Sequence, residues 1–375
     1  MLAKAVFWGS LGALAWTHAG YPLAVAAGAR LRARPVRKRD GEPDVTVVVA
    51  AHNEDDSIER RVENLLSLDY PPDRVRVVVA SDASTDRTDE LVEAIAAREP
   101  RVRLLRCARG GKVAAQHRAV RETDGEIVAF SDANAAWEPD ALRKLVRSFA
   151  DPDVGYVCGQ LKLRAHDGRN REGLYWRYEV WLRAQEAAIH SLTGGYGSIY
   201  AVRRSDYVED DPRFGHDLGF PYLMVQRGRR AVYEPEAVSV ESAAAEPEDE
   251  FGRKVRMMAQ SWGHILSGRM LRPTDPLYMA ELVSHRLLRY SSGLLHLALF
   301  GASVRVSGEG RVYRLALAAQ LAGAGLALAG KLRLPVPGAR VAYYYALVTA
   351  ATVAGLVEYL RAGTPVVWEK AAGTR

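Results

Sequence analysis

The sequence predicts an α/β protein with a mostly parallel sheet, helices on both faces of the sheet, and transmembrane helices at both ends of the chain. Two observations lead to this prediction. Between residues 43 and 263, short Val-rich runs alternate with amphipathic segments, as expected for parallel strands that are joined by crossover helices. The uncharged stretch near the N-terminus exceeds the roughly 20 residues that a helix needs to cross a bilayer, and three uncharged blocks near the C-terminus approach that length.

The N-terminal uncharged stretch, residues 5–29, predicts a membrane anchor within residues 1–30. Only Lys4 precedes it, whereas six basic residues follow between positions 30 and 39, most of them in a juxtamembrane linker, 31–42. Basic residues accumulate on the cytoplasmic side of a span, so the chain after residue 30 is expected in the cytoplasm. A cleaved signal peptide is the alternative, because small residues precede Arg30. The basic run has no interleaved aromatic residues, and nucleic-acid binding is not predicted.

The middle of the chain, 43–270, predicts the α/β domain. Its apolar runs are four to eight residues long and end in polar turn residues, which is typical of buried strands. Helix N-cap residue types open the segments between them. The expected strands are 45–50, 75–81, 101–106, 126–131 and 154–161, and the expected helices are 55–67, 87–98, 112–122 and 139–149.

The C-terminal region, 271–362, contains three uncharged blocks that predict membrane helices. They cover 290–304, 315–330 and 341–357, with 15, 16 and 17 residues. Each block is short for a span, and flanking Arg and Lys side chains would extend it by reaching toward the interface. The alternative is a buried helical hairpin in a soluble domain. The side of the membrane on which the tail, 363–375, lies depends on the number of spans and stays open.

Polar residues follow each of the first four predicted strands. In a parallel sheet these strand ends meet at one edge, which is where ligands bind. Asp132 there is a hard oxygen ligand for a divalent cation, and Lys112 is a counter-charge for a diphosphate. Neither a dinucleotide-binding GxGxxG nor a GxxxxGK[ST] phosphate loop is present, which excludes those two nucleotide sites. The strand-end residues are Asn53, Glu54, Asp82, Gly110, Gly111, Lys112, Asp132 and Asn134.

Successive motifs in the chain resemble those of the family 2 glycosyltransferases with a GT-A (nucleotide-diphospho-sugar transferase) fold, in particular the membrane-embedded synthases of cellulose, chitin, hyaluronan and poly-N-acetylglucosamine. The resemblance covers residues 43–263 and, with the flanking apolar segments and WEK at 368–370, nearly the whole chain. The motifs are VTVVVAAHNEDDSI, VVVASDASTDRT, RGGKVAAQ, VAFSDANAAWEPDAL, DPDVGYVCGQ, TGGYGSIYAVRR, GHDLGFPYLM and EFGRKVRMMAQSW.

The resemblance implies a donor site. Glu54 and Asp82 match positions that contact the ribose and base of a nucleoside diphosphate, and Lys112 matches a residue near that nucleotide. Asp132 matches the first acid of the DxD motif, so that Asp132 and Asn134 would bind the donor diphosphate with Mg²⁺ or Mn²⁺. Arg256 matches the arginine of the QxxRW signature, which faces the leaving diphosphate.

The resemblance also implies an acceptor site and a catalytic base. Gly195, Tyr196 and Gly197 fall where the family lines its acceptor site. Asp217 matches the general base, and a positioned carboxylate can take the proton of an acceptor hydroxyl as that oxygen attacks the sugar. Attack opposite the leaving group inverts the anomeric centre.

Three positions depart from the family pattern. Asn134 replaces the last carboxylate of DxD, His216 stands where a second acid precedes the base, and Met257 replaces the tryptophan of QxxRW. His216 either pairs with Asp217 or fills the loop. Because that tryptophan helps to hold a growing sugar chain in the polymerising synthases, the sequence leaves processive synthesis and single transfer both open.

The sequence thus predicts an inverting, metal-dependent glycosyltransferase that moves a sugar from a UDP-linked donor to a saccharide or lipid acceptor, as in polysaccharide synthesis. It is expected as a multi-pass protein of the cytoplasmic (inner) membrane, in contact with membrane lipids and open to partner membrane chains, with its catalytic domain in the cytoplasm. The alternative from another class is a non-catalytic membrane sensor or scaffold that binds nucleotide sugars. The sugar, the acceptor, the linkage and the oligomeric state stay open.

Overall fold

The computed structural model describes residues 1–164, 174–242, 247–272 and 274–364, and the side chains of 174, 175 and 247–250 lie outside this description, as do WEK at 368–370 and the end of the tail. Its centre is an eight-stranded sheet of order β3-β2-β1-β4-β7-β6-β8-β5. The strands are β1 (Val45–Ala51), β2 (Val75–Asp82), β3 (Val102–Cys107), β4 (Ile127–Asp132), β5 (Ala136–Trp137), β6 (Val154–Arg164), β7 (Tyr200–Arg203) and β8 (Arg230–Ser242).

The α-helices surround this sheet and extend the chain at both ends. They are α1 (Leu2–Ala15), α2 (Tyr21–Leu31), α3 (Ile58–Leu66), α4 (Thr88–Ala96), α5 (Gly111–Arg121), α6 (Ala141–Arg147), α7 (Leu174–Ile189), α8 (His216–Gln226), α9 (Pro247–Leu266), α10 (Pro276–Glu281), α11 (Leu288–Tyr290), α12 (Ser292–Val306), α13 (Arg311–Lys331) and α14 (Ala339–Ala362).

The strand β1 shows why the sheet is covered on both faces. It is parallel to β2 and β4, with Val45 opposite Val75 and Ile127. Its alternate residues enter different cores, Val47 and Val49 with α3, α4 and α6, and Val48 with α5 and β7. A central parallel strand must be apolar on both faces, and the Val run of β1 meets this condition. The five strands and four helices expected from the sequence are all present, whereas β5, β7 and β8 were not anticipated.

Two helices at the C-terminal end, Arg311–Lys331 and Ala339–Ala362, are long and apolar enough to cross a membrane. Two of the three expected C-terminal blocks thus form helices of this length, whereas the described residues at the N-terminal end contain no single helix that long. The remaining C-terminal block, 290–304, forms α12, which has 15 residues and packs against α1. At the N-terminus, α1 and α2 have 14 and 11 residues and are separated by a π turn, Trp16–Gly20. The anchor at 1–30 stays a prediction.

A second π turn, Leu282–Leu287, joins α10 to α11 and packs against the first one. The indole Nε1 of Trp16 donates to the Ser284 hydroxyl at 3.0 Å. A π turn interrupts the regular α-helical hydrogen bonding and commonly marks a functional site. Here the two turns join the N-terminal and C-terminal helical regions beside the sheet domain.

Candidate active site

The sheet brings the ends of several strands to one edge. The ends of β1, β2, β3 and β4 lie there because these strands are parallel, and β7 begins there because it is antiparallel to β4. β6 is antiparallel to β7 and β8 is parallel to β6, so both end at this edge as well. The arrangement confirms the expected edge and adds the segments around β7 and β8 to it.

Asp82, at the end of β2, is almost completely buried and binds the N-terminal end of α5. Its two carboxylate oxygens accept backbone N–H bonds from Gly110 at 2.7 Å and Gly111 at 2.9 Å, and Arg109 forms an ion pair with it. Gly111 has a φ of 84°, a value that favours glycine. The structure therefore gives Asp82 a role in fixing the loop before Lys112. Contact with a nucleotide base stays a prediction.

The loops after β1 and β2 are tied together by hydrogen bonds. The Asn53 side-chain oxygen accepts from the Thr85 N–H at 2.8 Å, and the Glu54 N–H donates to the Thr88 hydroxyl at 2.8 Å. The Glu54 carboxylate accepts from the Ser57 hydroxyl at 3.1 Å at the start of α3. Glu54 is half-buried, so it lies at the predicted donor edge with part of its surface accessible.

Lys112 and Asp132 form an ion pair across the edge, with about 28% and 29% of their side chains exposed. Burial alone would lower the pKa of the Lys112 ammonium, but the charge and hydrogen bond of Asp132, assisted by Asp217, raise it. Lys112 therefore stays charged at neutral pH. Asn134, two residues beyond Asp132, is exposed at the loop.

Asp217 lies at the start of α8, next to the glycine-rich loop. The Gly195 N–H donates to its backbone oxygen at 2.6 Å, and its half-buried carboxylate is close enough to Lys112 to influence that ammonium. A Cβ on Gly197 would lie 3.0 Å from the Lys112 Nζ and 3.5 Å from an Asp132 oxygen. The predicted base, the predicted acceptor loop and the Lys112–Asp132 pair thus meet in one place.

Tyr196 lies in that loop but is largely buried. Its ring stacks on Trp176 with centroids 5.4 Å apart, and the Arg183 guanidinium lies 3.8 Å from the ring centre. Burial raises the pKa of the Tyr196 hydroxyl to about 12, against the effect of Arg183. The side chain therefore anchors the loop from behind, and Gly195 and Gly197 form the side that faces Asp217 and Lys112.

His216 is a core residue. Its Nδ1 is 2.8 Å from the Tyr200 hydroxyl, and aromatic rings including Phe130 and Phe220 surround it. Burial, together with the charges of His117 and Lys112, lowers its pKa well below the usual range, so the imidazole is neutral. Of the two sequence interpretations, filling the loop is the correct one.

Arg253, Arg256 and Met257 share one face of α9, by their three- and four-residue spacing. The opposite face packs on α14, where Gly355 approaches Val255 and Met258. Arg253 lies close enough to Glu241, at the end of β8, to lower its pKa. Arg253 therefore lies near the sheet edge, and a role of Arg256 at the donor diphosphate stays a prediction.

Two residues of this edge were missed by sequence reasoning, Glu241 and Arg61. Burial and the Asp132 carboxylate raise the pKa of Glu241 to about 7. Arg61 is 1% exposed, and burial lowers its pKa to about 9 against the charges of Asp132 and Glu241. Its Nε and Nη2 have no hydrogen-bond partner among the described residues. A charged residue beside the apolar stripe of Ile58, Val62 and Leu65 was the available signal for Arg61.

A surface cavity of about 420 Å³ lies elsewhere. Asp124, Gly125 and Glu126, which precede β4, line it together with Arg204 and Glu209. It is therefore at the opposite edge of the sheet. Strand-end geometry, and not cavity size, locates the candidate site.

Residues 46–211 match the family model described as glycosyl transferase family 2. This part of the chain is a domain of that glycosyltransferase family. A similar solved structure is a mannosyltransferase from Pyrobaculum calidifontis in complex with GDP-Man and Mn²⁺, with 26% identity, a TM-score of 0.73, and coverage of 96% of this chain and 97% of that one. The likeness confirms the GT-A fold of the glycosyltransferase domain.

Curated relatives match the glycosyltransferase domain over part of their length. A beta-monoglucosyldiacylglycerol synthase of Synechocystis sp. is 40% identical over 169 residues, which is 42% of this chain and 33% of that protein. An N-acetylglucosaminyltransferase of Bradyrhizobium elkanii is 37% identical over 123 residues, 32% of this chain and 66% of that protein. The match to the first of these relatives thus spans about a third of its length.

The donor set of the glycosyltransferase domain fits a divalent cation that binds together with a diphosphate. Among the described residues, no group of three His, Cys, Asp or Glu side chains could hold a metal ion. Asp132 and Asn134 provide one carboxylate and one amide oxygen, and Mg²⁺ commonly takes one or two protein ligands plus substrate phosphates and water. The residues therefore fit an ion shared with the donor better than an ion held by protein alone.

Proposed function

We propose that this protein transfers a sugar from a nucleoside-diphosphate donor to a saccharide or lipid acceptor at a membrane, with inversion and with a divalent cation. The observation that carries the proposal is the meeting of the Lys112–Asp132 pair with Asp217 across Gly195 and Gly197. A donor diphosphate at the first pair would place its sugar next to a carboxylate and an acceptor loop.

In the proposed reaction some residues stabilise the departing diphosphate and another accepts the proton of the acceptor hydroxyl. Lys112 and Arg256 offset the negative charge that develops on the departing diphosphate. Asp217 accepts the proton of the attacking hydroxyl, which is worth about 10²–10⁴ in rate. Asp132 and Asn134 would hold the cation, which would supply positive charge to offset the same diphosphate. Attack from the Asp217 side, opposite the diphosphate, inverts the anomeric centre.

For the nucleotide of the donor and for the acceptor we propose a chemical class. The sequence motifs favour a UDP-linked donor, and the similar mannosyltransferase structure contains GDP-Man, so both nucleotides belong in the test. A lipid acceptor is supported by the apolar helices α13 and α14 and by the relative that is named a monoglucosyldiacylglycerol synthase. We also propose the cytoplasmic membrane as the location of the enzyme, with the catalytic domain on the cytoplasmic side, as the basic residues at 30–39 suggest.

The test is nucleoside diphosphate release by the full chain in lipid nanodiscs with dioleoylglycerol. UDP-, GDP- and dTDP-sugars are supplied with Mg²⁺ or Mn²⁺, for the wild type and for Asp217→Asn. We expect release with one donor, a loss of at least about 10²-fold in Asp217→Asn, and unchanged donor affinity. The matched control is Asp211→Asn, which removes an acid that pairs with Arg213.

Two results would contradict the proposal. Release that persists in Asp217→Asn would exclude this carboxylate as the base. Donor binding without release of nucleotide from any donor and metal would favour the sensor or scaffold function.

A further inference from the structure

The glycine-rich loop at 192–197 is held from its far side by helices outside the sheet. Tyr278 of α10 donates its hydroxyl to the Leu192 carbonyl at 2.8 Å, and Arg183 of α7 donates Nε to the Gly194 carbonyl at 3.1 Å. Arg286, in the second π turn, donates Nε to the Thr193 carbonyl at 3.1 Å. Three consecutive carbonyls of the loop thus each have a buried donor from a different helix.

Arg286 contacts the loop through several atoms of its guanidinium group. Its Nε also lies 3.0 Å from the Thr193 hydroxyl, and its Nη1 donates to the Tyr290 hydroxyl at 3.1 Å. A Cβ on Gly194 would lie 2.5 Å from its Nη2. A larger residue at 194 would therefore have to displace this buried guanidinium.

A carboxylate behind the loop joins three regions of the chain. Glu186 of α7 accepts from the Tyr21 hydroxyl of α2 at 2.5 Å and from the Thr193 hydroxyl at 2.9 Å, and its Oε1 is 2.6 Å from His285 Nδ1. Glu186 and His285 are buried. The N-terminal helix, the π turn and the loop consequently share one hydrogen-bonded cluster, comprising Tyr21, Glu186, Thr193, His285 and Arg286.

The glycine content of the loop explains why hydrogen bonds from outside are needed to hold it in one conformation. Three of the four residues of 194–197 are glycine, which loses more backbone freedom on ordering than any other residue. Binding of an acceptor to a mobile loop is weakened by the entropy of ordering it, and a preorganised loop avoids that cost. The Gly195 N–H bond to Asp217 holds one side, and the Arg286 cluster holds the other.

We infer that Arg286 is a positioning residue for the acceptor, through which the helices outside the sheet keep the Gly194–Gly197 loop in its binding conformation against Asp217. The inference rests on the proposed function. Arg286 contacts neither the Lys112–Asp132 pair nor the predicted donor residues in any described hydrogen bond, so its loss should affect the acceptor and spare the donor.

Two readouts on the full chain in nanodiscs test the inference. The first readout compares the KM for dioleoylglycerol in the transfer reaction with the rate of donor hydrolysis in the absence of an acceptor. The second is amide hydrogen exchange at residues 194–197, which needs no activity. For Arg286→Lys we expect an acceptor KM raised about tenfold, which corresponds to about 1.4 kcal/mol, faster exchange in the loop, and unchanged donor hydrolysis.

Matched variants separate positioning from a general folding defect. Gly194→Ala pushes on the same guanidinium from the loop side and should reproduce both effects. Arg305→Ala removes an exposed arginine of α12 and should change neither. Wild-type exchange in both Arg286→Lys and Gly194→Ala would overturn the inference, as would a parallel fall in donor hydrolysis and transfer. An inactive wild type would defeat the proposed function alone, while the exchange readout would still decide the role of Arg286.

Discussion

Single residues at the sheet edge have roles that their sequence motifs only partly indicate. Asp132 and Lys112, which the motifs assign to the donor site, form an ion pair with each other. Asp82 binds backbone N–H groups of α5 with both of its carboxylate oxygens. A strand-end acid can hold a helix or a ligand, and the sequence pattern is the same for both because each needs a carboxylate at that position.

The departure at Asn134 leads to a testable prediction about the metal. Asn134→Asp adds a second carboxylate beside Asp132, and a higher ligand charge strengthens binding of a hard divalent cation. We expect the Mg²⁺ concentration that gives half-maximal nucleotide release to fall about tenfold, equivalent to about 1.4 kcal/mol, and to rise in Asn134→Ala. An equal metal requirement in both variants would show that residue 134 does not bind the ion.

At the scale of elements, much of the fold was predictable from the sequence. The runs that form β1 to β4 and β6 are mostly apolar and are bounded by turn residues, so the pattern locates the ends of β1 to β4 within one residue and the end of β6 within three. β8 was missed because polar residues interrupt its apolar run at 234–236, where the strand is exposed at Pro235 and Glu236. Glu241 was missed with it, since an acid on an unrecognised strand has no predicted position.

The pairing of α13 with α14 depends on Gly330, which gives a second prediction. A Cβ at this position would collide with the Ala339 carbonyl, whereas a Cβ on Gly325 of the same helix would meet nothing within 4 Å. We expect Gly330→Ala to destabilise the protein by about 1–3 kcal/mol through overpacking and Gly325→Ala to have little effect. Thermal unfolding in detergent measures both, and equal melting temperatures would contradict a tight helix pair.

At the scale of the whole molecule, buried neutral histidines link stability to pH. Burial, assisted by the charge of Arg269, lowers the pKa of His264 to about 3, and His216 is shifted in the same direction. In the unfolded chain a histidine has a pKa of about 6.5. Below that pH the unfolded state binds protons that the folded state does not, so stability is lost as the pH falls.

The third prediction concerns this pH range. Between pH 6.5 and about pH 3, His264 lowers the free energy of unfolding by up to ~1.4 kcal/mol per pH unit. We expect His264→Gln to lose less stability than the wild type between pH 7.5 and pH 5, as measured by melting temperature. Tyr222→Phe is the control, because it removes the 3.0 Å bond to His264 and keeps the titrating ring. If His264→Gln lost as much stability as the wild type over this pH range, His264 would not be the origin of the pH dependence.

The two π turns should make the chain sensitive to the deletion of single residues. A π turn differs from the helix around it by one inserted residue, so deleting one residue from 16–20 or from 282–287 would restore a regular α-helix. It would also rotate everything beyond by about 100°, since an α-helix has 3.6 residues per turn. Tyr21 lies just beyond the first turn and Arg286 lies within the second. We therefore expect single-residue deletions in these turns to be more harmful than conservative substitutions there, although the shortened sequences would remain good helices.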